Sequence, residues 1–393
     1  MSGLFAAAFL RRIGWEADVY ERSPVELVGR GAGITTHPEL LEALEKSGAG
    51  TRDLGIEVER RITIDRTGRV IGERRLPQIL TSWDRLQRLL RATIDPAHYH
   101  LGHSFTRLEQ DGHDVRVHFA EGRTEQADLL VGGDGIRSAV RAALAPEVQP
   151  VYAGYYIWRG APNEADLAPE TLRDIFPYFV FHVPPRQQVI GYPISGFNND
   201  LRPGHRRYNF IWYRVGDASQ LKEMCVDATG RQHESSVPPP LIRPDLIAAM
   251  RADAASIMPP AFLDCLDHIA QPFFTPIYDF SAPRIVLGRV ALVGDAASSS
   301  RPHMGFGVAK AGGDAEALAD ALAGHDDIDA ALARYDAVRQ PIGERIMWHG
   351  RRLGTHLGVD LKTAEDRAMS KLLQEEGALM DWIGVPNFLE RQP

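Results

Sequence analysis

Two segments of this chain share a pattern in which an apolar strand ends in glycine and aspartate. The first is Leu129-Leu-Val-Gly-Gly-Asp134-Gly135, followed by a helix start at Ser138. The second is Val290-Ala-Leu-Val-Gly294-Asp295, followed by a glycine-rich loop and a long helix from Val308 to Leu322. A carboxylate between a strand end and a helix start suits the polar linker of a dinucleotide, although Asp134 would also serve as an ordinary N-cap. Because the pattern occurs twice, we favour ligand-binding joints in an α/β fold.

The N-terminal segment predicts a helix that begins almost at Met1 and ends at Gly14, and then a short strand that ends in Glu21. This is the second half of a dinucleotide-binding βαβ unit, in which the helix N-terminus at Gly3 faces a pyrophosphate and the acid binds a ribose hydroxyl. The distance from Gly3 to Glu21 is close to the roughly 20 residues expected. The first strand and the first two glycines of that unit are absent, so we expect a parallel sheet that lacks an internal strand. An ordinary N-terminal helix and strand is the alternative.

Two further loops are rich in glycine. Gly29 to Ile34, which includes Arg30 and Gly33, either makes turns or lets the backbone lie against a flat ligand such as a flavin ring. The loop from Ser298 to Gly307 contains Pro302, His303 and Gly305, and it precedes the long helix. The positive end of that helix favours developing anionic charge.

Aromatic strands run from Val151 to about Gln271 and form either plain core or the wall of a ligand site. Tyr192, Trp212 and Tyr213 each carry a polar atom that needs a partner when the side chain is buried. We therefore expect a pocket lined by Tyr192 and by Trp212 or Tyr213 on one side, with the Pro302-His303 loop on the other.

Composition excludes several classes of protein. The chain is 44% hydrophobic and 24% charged, with 44 Lys+Arg against 52 Asp+Glu and a net charge of −8. It is therefore an ordinary globular chain, and we expect no nucleic-acid or membrane partner. Cys225 and Cys265 lack the spacing of a disulfide framework or a metal site, so we expect no metal and a reducing cytoplasm. The apolar stretch from Gly3 to Leu10 is too short to span a bilayer.

Taken together, these motifs resemble the FAD-dependent aromatic hydroxylases of the p-hydroxybenzoate hydroxylase type, which are single-component flavoprotein monooxygenases. The resemblance covers almost the whole chain. Asp134-Gly135 looks like the family's DG motif, beside the flavin nucleotide and a transient pyridine nucleotide, and Gly294-Asp295 looks like its GD motif, whose aspartate holds the ribityl chain. Glu21 matches the acid on the adenosine ribose, and Gly33-Ile34 matches the loop beside the isoalloxazine. Ser298 departs from the pattern, because many relatives have histidine there.

The resemblance implies an α/β fold with a Rossmann-like FAD-binding domain whose first strand is missing, an inserted mixed β-sheet substrate domain and C-terminal helices. We expect residues 1–150 and 271–345 to form the FAD-binding domain, with a hairpin excursion at 61–80. Residues 151–270 are expected to form the substrate-binding sheet and 346–393 the C-terminal helices. The residues expected to contact FAD are Gly3, Glu21, Arg22, Arg30, Gly33, Ile34, Asp134, Gly135, Gly294, Asp295, Gly305 and Gly307.

The implied chemistry is hydroxylation of an electron-rich aromatic or N-heteroaromatic ring. NADH or NADPH reduces FAD as a transient co-substrate, O₂ adds to the reduced flavin, and the flavin C4a-hydroperoxide hydroxylates the ring. A neutral His or a Tyr relay would help to deprotonate a phenol or hydroxypyridine, and His303 is the first candidate, with Tyr192 and His37 weaker. Tyr152-Ala-Gly-Tyr155 and Arg301-Pro-His303 look most like the hydroxypyridine hydroxylases. The choice between a monomer and a homodimer stays open.

Three other classes of protein are compatible with parts of this pattern. A flavin halogenase would carry a W-x-W-x-I-P signature, and a Baeyer–Villiger or dimethylaniline-type monooxygenase would need a second G-x-G-x-x-G after a strand; the sequence contains neither. The remaining alternative is an N-terminally truncated, flavin-poor scaffold or interaction protein of the same fold.

Overall fold

The structure is a computed structural model, and it describes residues 1–27, 33–325, 327–375 and 377–386. The α-helices found in these ranges are α1 (Ser2–Arg12), α2 (Pro38–Ser47), α3 (Trp83–Arg91), α4 (Ala139–Leu144), α5 (Pro169–Asp174), α6 (Ala218–Met224), α7 (Pro244–Ile257), α8 (Pro260–Asp267), α9 (Gly307–Leu322), α10 (Ile328–Gly354), α11 (Ala364–Leu373) and α12 (Ala378–Trp382). The strands are β1 (Val19–Glu21), β2 (Gly33–Thr35), β3 (Ile56–Ile64), β4 (Val70–Ser82), β5 (Tyr99–Leu101), β6 (Phe105–Gln110), β7 (Val115–Phe119), β8 (Thr124–Ala127), β9 (Leu130–Gly132), β10 (Val151–Gly160), β11 (Phe179–His182), β12 (Gln187–Ile194), β13 (Arg207–Val215), β14 (Phe273–Ser281), β15 (Val290–Leu292) and β16 (Ser298–Ser299). None of the described helices is both long and apolar enough to cross a membrane.

The α/β fold class is confirmed, and its largest element is a mixed sheet of nine strands in the order β16-β14-β10-β13-β12-β11-β3-β4-β2. The aromatic strands of the middle segment form its centre. The expected hairpin excursion is the β3–β4 pair, which joins this sheet through the parallel pairing of β3 with β11. β14 also belongs to the sheet, so the sheet extends past the boundary expected at residue 270.

The parallel strands of the nucleotide-binding part form two separate pairs, β1 with β5 and β9 with β15. The described part of the chain contains no strand that joins these pairs into one sheet, as expected for a sheet that lacks an internal strand. Both pairs end where the sequence places an acid, since Glu21 closes β1 and Asp295 follows β15.

The nine-stranded sheet separates two hydrophobic cores. One face packs in a common core with α1, α9 and α10, and the other packs against α6, α7 and α8. Neighbouring residues of a strand point to opposite faces, so each central strand contributes side chains to both cores. The face toward α9 therefore meets the loop that precedes that helix.

The C-terminal helices do not begin where the sequence suggested. α10 runs without a break from Ile328 to Gly354, so the expected boundary between residues 345 and 346 falls inside one helix. Pro341 lies within this helix and does not end it.

Candidate active site

The start of α1 lies between the two strand–glycine–aspartate joints. A Cβ atom added at Gly133 would lie 2.8 Å from the Gly3 amide nitrogen, and one added at Gly294 would collide with the Ser2 hydroxyl. Burial lowers the pKa of the Met1 amino group, and the nearby carboxylates of Glu21 and Asp295 oppose that shift. The segments predicted to bind a dinucleotide therefore meet at one place.

The backbone at this place borders open space. A Cβ atom at Gly3, Gly135 or Gly307 would have no described atom within 4 Å. Gly135 also has φ +85°, a left-handed conformation that side-chain-bearing residues rarely adopt. An exposed backbone next to two helix starts is a suitable surface for an anionic linker such as a pyrophosphate.

A buried ion network fixes the turn that carries Asp295. The Gly294 amide donates to Asp314 Oδ2 at 2.9 Å, and Lys310 Nζ donates to the Gly294 carbonyl at 2.8 Å. Arg339 Nη2 completes the network 2.7 Å from Asp314 Oδ1. Burial raises the pKa of Asp295, while the charge of Lys310 opposes the shift. A carboxylate held this way fits a group that brings hydroxyl donors, as the ribityl chain of FAD does.

The other two acidic residues predicted to contact FAD, Asp134 and Glu21, accept hydrogen bonds from nearby backbone amides. Asp134 Oδ2 accepts from the Ala139 and Val140 amides at 2.7 and 3.2 Å, so it binds the first-turn amides of α4. It is not the N-cap that the sequence offered as the alternative, because that position is Ser138, whose hydroxyl accepts from the Arg141 amide at 2.8 Å. Glu21 accepts from the Ser23 amide at 2.8 Å. Arg22 is exposed, and Arg30 lies outside the described residues.

The second glycine loop joins the nine-stranded sheet. The Gly33 amide donates to Asn209 Oδ1 at 3.1 Å, which ties β2 to β13, and Ile34 is half-buried. Gly305 has φ +62°, and a Cβ there would collide with the Thr35 hydroxyl, so β2 and the loop before α9 touch at a position that requires glycine.

His37 supports the same loop. Its Nε2 lies 2.9 Å from the Met304 carbonyl, and burial lowers its pKa to about 4. This contact gives His37 a structural role, because it fixes the loop that precedes α9.

His303 is buried on the α9 side of the sheet, in the short turn Pro302–Met304. Its Nε2 lies 2.7 Å from the Tyr155 hydroxyl, and its ring stacks on Tyr213 with centroids 4.9 Å apart. Burial holds its pKa well below the ordinary value, and the charges of His356 and Arg301 act in the same direction. Its Nδ1 has no hydrogen-bond partner among the residues that the structure describes. The site thus contains a neutral imidazole with one free nitrogen.

An ion pair anchors the loop that carries His303. Arg301 Nε donates to Asp279 Oδ2 at 2.6 Å, and both side chains are buried. Arg351 donates to the other oxygen of Asp279 at 2.6 Å, and Asp360 also binds Arg301. The loop is therefore tied to β14, to α10 and to the turn after it.

The predicted ring pocket needs one correction. Tyr192 and Tyr213 lie on the face that carries His303, and Tyr192 stacks on Phe179 with centroids 4.9 Å apart. Trp212 lies on the opposite face, where its Nε1 donates to Gln187 Oε1 at 2.9 Å. Adjacent residues of a strand cannot share a face, so the alternative between Trp212 and Tyr213 resolves in favour of Tyr213.

Sequence reasoning assigned no site role to Tyr155 or Asn209, although the resemblance includes their segments, and it did not indicate the Asp279 anchor. Tyr155 and Asn209 stand in ordinary aromatic strand segments, and Asp279 in a strand of no distinctive composition. The signal that the sequence does contain is the alternation of side chains along β10 and β13, which predicts the face of the sheet on which Tyr155 and Tyr213 each lie. Among the described residues no cluster of His, Cys, Asp or Glu could hold a metal ion.

An open glycine backbone suited to a dinucleotide and a buried neutral histidine on the nine-stranded sheet fit a flavin-dependent oxidoreductase. A family model described as FAD binding domain-like matches residues 152–279. The chain is 33% identical over 338 residues to 2,6-dihydroxypyridine 3-monooxygenase of Paenarthrobacter nicotinovorans, covering 86% of this chain and 84% of that protein. It is 30% identical over 351 residues to aurachin C monooxygenase/isomerase of Stigmatella aurantiaca, covering 86% of this chain and 82% of that protein.

The solved structures agree. The structure of 2,6-dihydroxypyridine-3-hydroxylase from Arthrobacter nicotinovorans is similar with a TM-score of 0.85 and 31% identity, covering 91% of this chain and 90% of that one. A Klebsiella pneumoniae protein solved with FAD and uric acid shares the fold, with a TM-score of 0.75 and 24% identity over 95% of this chain and 90% of that one. The chain belongs to the FAD-dependent aromatic hydroxylases of the p-hydroxybenzoate hydroxylase type. The scaffold alternative is accordingly not favoured.

Proposed function

We propose that this protein uses FAD, O₂ and NADH or NADPH to hydroxylate a small hydroxypyridine or related hydroxylated ring, with His303 handling the proton of the substrate hydroxyl. The observation that carries the proposal is the neutral, buried imidazole of His303, whose Nδ1 has no partner in the described part of the chain. The imidazole of His303 lies on the face of the sheet that is bordered by the loops containing Gly33 and Gly305.

The residues present fit FAD. Asp295 offers a half-buried carboxylate as an acceptor for ribityl hydroxyls, and the open backbone at Gly3 and Gly307 offers amide donors to anionic groups. The bound cofactor would supply the activation of O₂ for oxygen transfer to the ring. The protein's part is to hold the ring, to exclude water and to manage one proton.

In the tautomer with the proton on Nε2, which lies 2.7 Å from the Tyr155 hydroxyl, His303 accepts the substrate proton at Nδ1. Burial and the charge of Arg301 disfavour the imidazolium while the pocket holds no anion. An anionic substrate oxygen next to Nδ1 supplies the opposite charge that stabilises the protonated ring. Deprotonation makes the ring electron-rich at the time when the oxygen atom is transferred.

The relatives support the substrate class. The relative at 33% identity is a 2,6-dihydroxypyridine 3-monooxygenase by name, and the segments that look most like that type, Tyr152 to Tyr155 and Arg301 to His303, contribute two groups that touch each other. We also propose a cytoplasmic location, because both cysteines are free thiols. A homodimer stays a prediction for size measurement in solution.

The test is NADH and NADPH oxidation by the FAD-loaded protein with a panel of hydroxypyridines and phenols, with hydroxylated product and peroxide measured together. We expect product formation with at least one hydroxypyridine. Protein that stays colourless after exposure to excess FAD, or that releases peroxide and no product with every ring, would contradict the proposal.

A further inference from the structure

Gln188 is fully buried and has no described hydrogen-bond partner for either amide atom. A primary amide has two donor hydrogens on its nitrogen and an acceptor oxygen beside it. Buried polar groups are nearly always paired, because each unpaired one costs stability. An amide with both atoms unpaired therefore requires an explanation, and a bound molecule supplies one.

The pairing of β12 with β13 places Gln188 on the face of the ring pocket. Gln188 is directly opposite Tyr213 in this antiparallel pair, so their Cβ atoms are about 4.5–5.5 Å apart and on the same face. Tyr213 is the residue whose ring stacks on His303. Ile190 and Tyr192, which follow Gln188 at intervals of two, face the same core.

Tyr213 connects Gln188 to two further polar atoms that are unpaired among the described residues, one on His303 and one on His356. His303 Nδ1 and His356 Nε2 are both buried without partners in the described ranges, and the two rings pack edge to face with centroids 5.3 Å apart. The turn after His356 reaches the start of β12, since a Cβ at Gly358 would lie 3.4 Å from Arg186 Nε. A single polar ligand in this region would satisfy several of these groups together.

We propose that the Gln188 amide binds a donor–acceptor edge of the substrate ring, namely a ring N–H beside a carbonyl oxygen, as in the pyridone form of a hydroxypyridine. The inference rests on the proposed function and narrows its substrate class. Glutamine makes this kind of paired contact with adenine, because one side-chain edge offers a donor and an acceptor together. The lactam edge of a pyridone is complementary to both atoms.

The competing ring classes match Gln188 less well. A phenol offers a hydroxyl next to a C–H group, so one atom of the amide stays unpaired. A carboxylate accepts only, so it pairs with the amide nitrogen and places negative charge beside the amide oxygen. Sites built for a hydrogen-bonding group discriminate strongly against analogues that lack it.

The experiment compares two rings that differ at one atom, 2,6-dihydroxypyridine and 1,3-dihydroxybenzene (resorcinol). Binding of each to the FAD-loaded protein is measured by calorimetry in the wild type, Gln188→Met and Gln187→Met. Gln187→Met is the matched control, because Gln187 is the neighbouring glutamine on the opposite face and is paired with Trp212. We expect Gln188→Met to weaken 2,6-dihydroxypyridine roughly tenfold or more and to change resorcinol by less than about twofold.

A second measurement on the protein without substrate separates ligand binding from a structural role. Methionine matches glutamine in length, so Gln188→Met should leave the urea midpoint unchanged or raise it, because an unpaired amide is removed. Gln187→Met should lower the midpoint, since Trp212 loses its acceptor.

Gln188→Met that weakens both rings equally, or that lowers the urea midpoint as Gln187→Met does, would overturn the role of Gln188 while the proposed function stands. Wild-type protein that binds FAD and neither ring would instead overturn the proposed hydroxypyridine function.

Discussion

The part of the site expected to bind the nucleotide (the nucleotide side) and the part proposed to bind the substrate ring (the ring side) consist of different structural features. The nucleotide side consists of strand ends, helix starts and glycines such as Gly3, Gly135 and Gly307, whose backbone borders open space. The ring side consists of buried side chains, and His303 and Gln188 carry polar atoms that are unpaired within the described residues. The difference teaches that a cofactor common to a family is bound mainly through backbone geometry, whereas a particular ring is selected by side chains.

The largest effect is expected on the ring side. His303→Ala should lower coupled hydroxylation by roughly two to four orders of magnitude, because it removes the group that takes the substrate proton. Product and peroxide per NAD(P)H consumed are the measurements, and peroxide release should rise. FAD content should stay at the wild-type level, since the side-chain contacts of His303 within the described residues are with Tyr155, Tyr213 and His356. Wild-type coupling in this variant would place the proton-handling group elsewhere.

On the nucleotide side we expect a substitution to lower the affinity for FAD. Asp295→Ala should weaken FAD by roughly tenfold or more, because charge-assisted hydrogen bonds are worth about 1.5–3 kcal/mol each. Titration of the apoprotein with FAD, followed by flavin fluorescence, measures the change.

Asp134→Ala is the matched substitution on the same side. It should lower the free energy of unfolding by about 1 kcal/mol, because the Ala139 and Val140 amides lose their acceptor, and it should affect FAD less than Asp295→Ala does. Equal losses of FAD affinity in the two variants would show that both carboxylates contact the cofactor.

The ring side should also make stability depend on pH. Burial lowers the pKa of both His37 and His356 to about 4, and it holds the pKa of His303 well below its ordinary value. In the unfolded chain these three histidines bind protons below about pH 6.5, whereas in the folded chain they stay neutral. The free energy of unfolding therefore falls as pH drops from about 6.5 toward 4. Each histidine adds a slope of about 1.4 kcal/mol per pH unit. Urea unfolding across this range should show that His356→Gln has a shallower slope than the wild type, and an identical slope would contradict the burial of a neutral His356.

The smallest effect is expected at Trp212, although Trp212 and Tyr213 are adjacent in the chain. Trp212→Phe should leave KM and coupling unchanged and should cost about 1 kcal/mol of stability through the hydrogen bond lost to Gln187. Tyr213→Leu should change KM, because its ring contacts His303. An altered KM in Trp212→Phe would mean that the two faces of β13 are not independent.

The local sequence was sufficient to predict the helices and strand ends of the nucleotide side. Strand, Gly-Asp and helix start are encoded within a few residues, and the helices that begin near Gly3 and end at Leu322 are where the pattern places them. Few residue types tolerate the backbone at such joints, so a short motif carries much of the information. The same motif could not decide whether the Asp134 carboxylate binds the first-turn amides of α4 or a ligand, because both roles use the same residue at the same turn.

What the sequence by itself determined is therefore the family, the cofactor class and the strand-end acids, since these depend on local conformation and residue type. Tertiary structure decided that β3 and β4 extend the nine-stranded sheet, that Tyr213 rather than Trp212 lies on the face that carries His303, and that Gln188 is opposite Tyr213. The physical reason is that a pocket face is set by strand register, and a shift of one residue would turn every side chain to the other face. Register arises from contacts between segments far apart in the chain, and no local pattern records it.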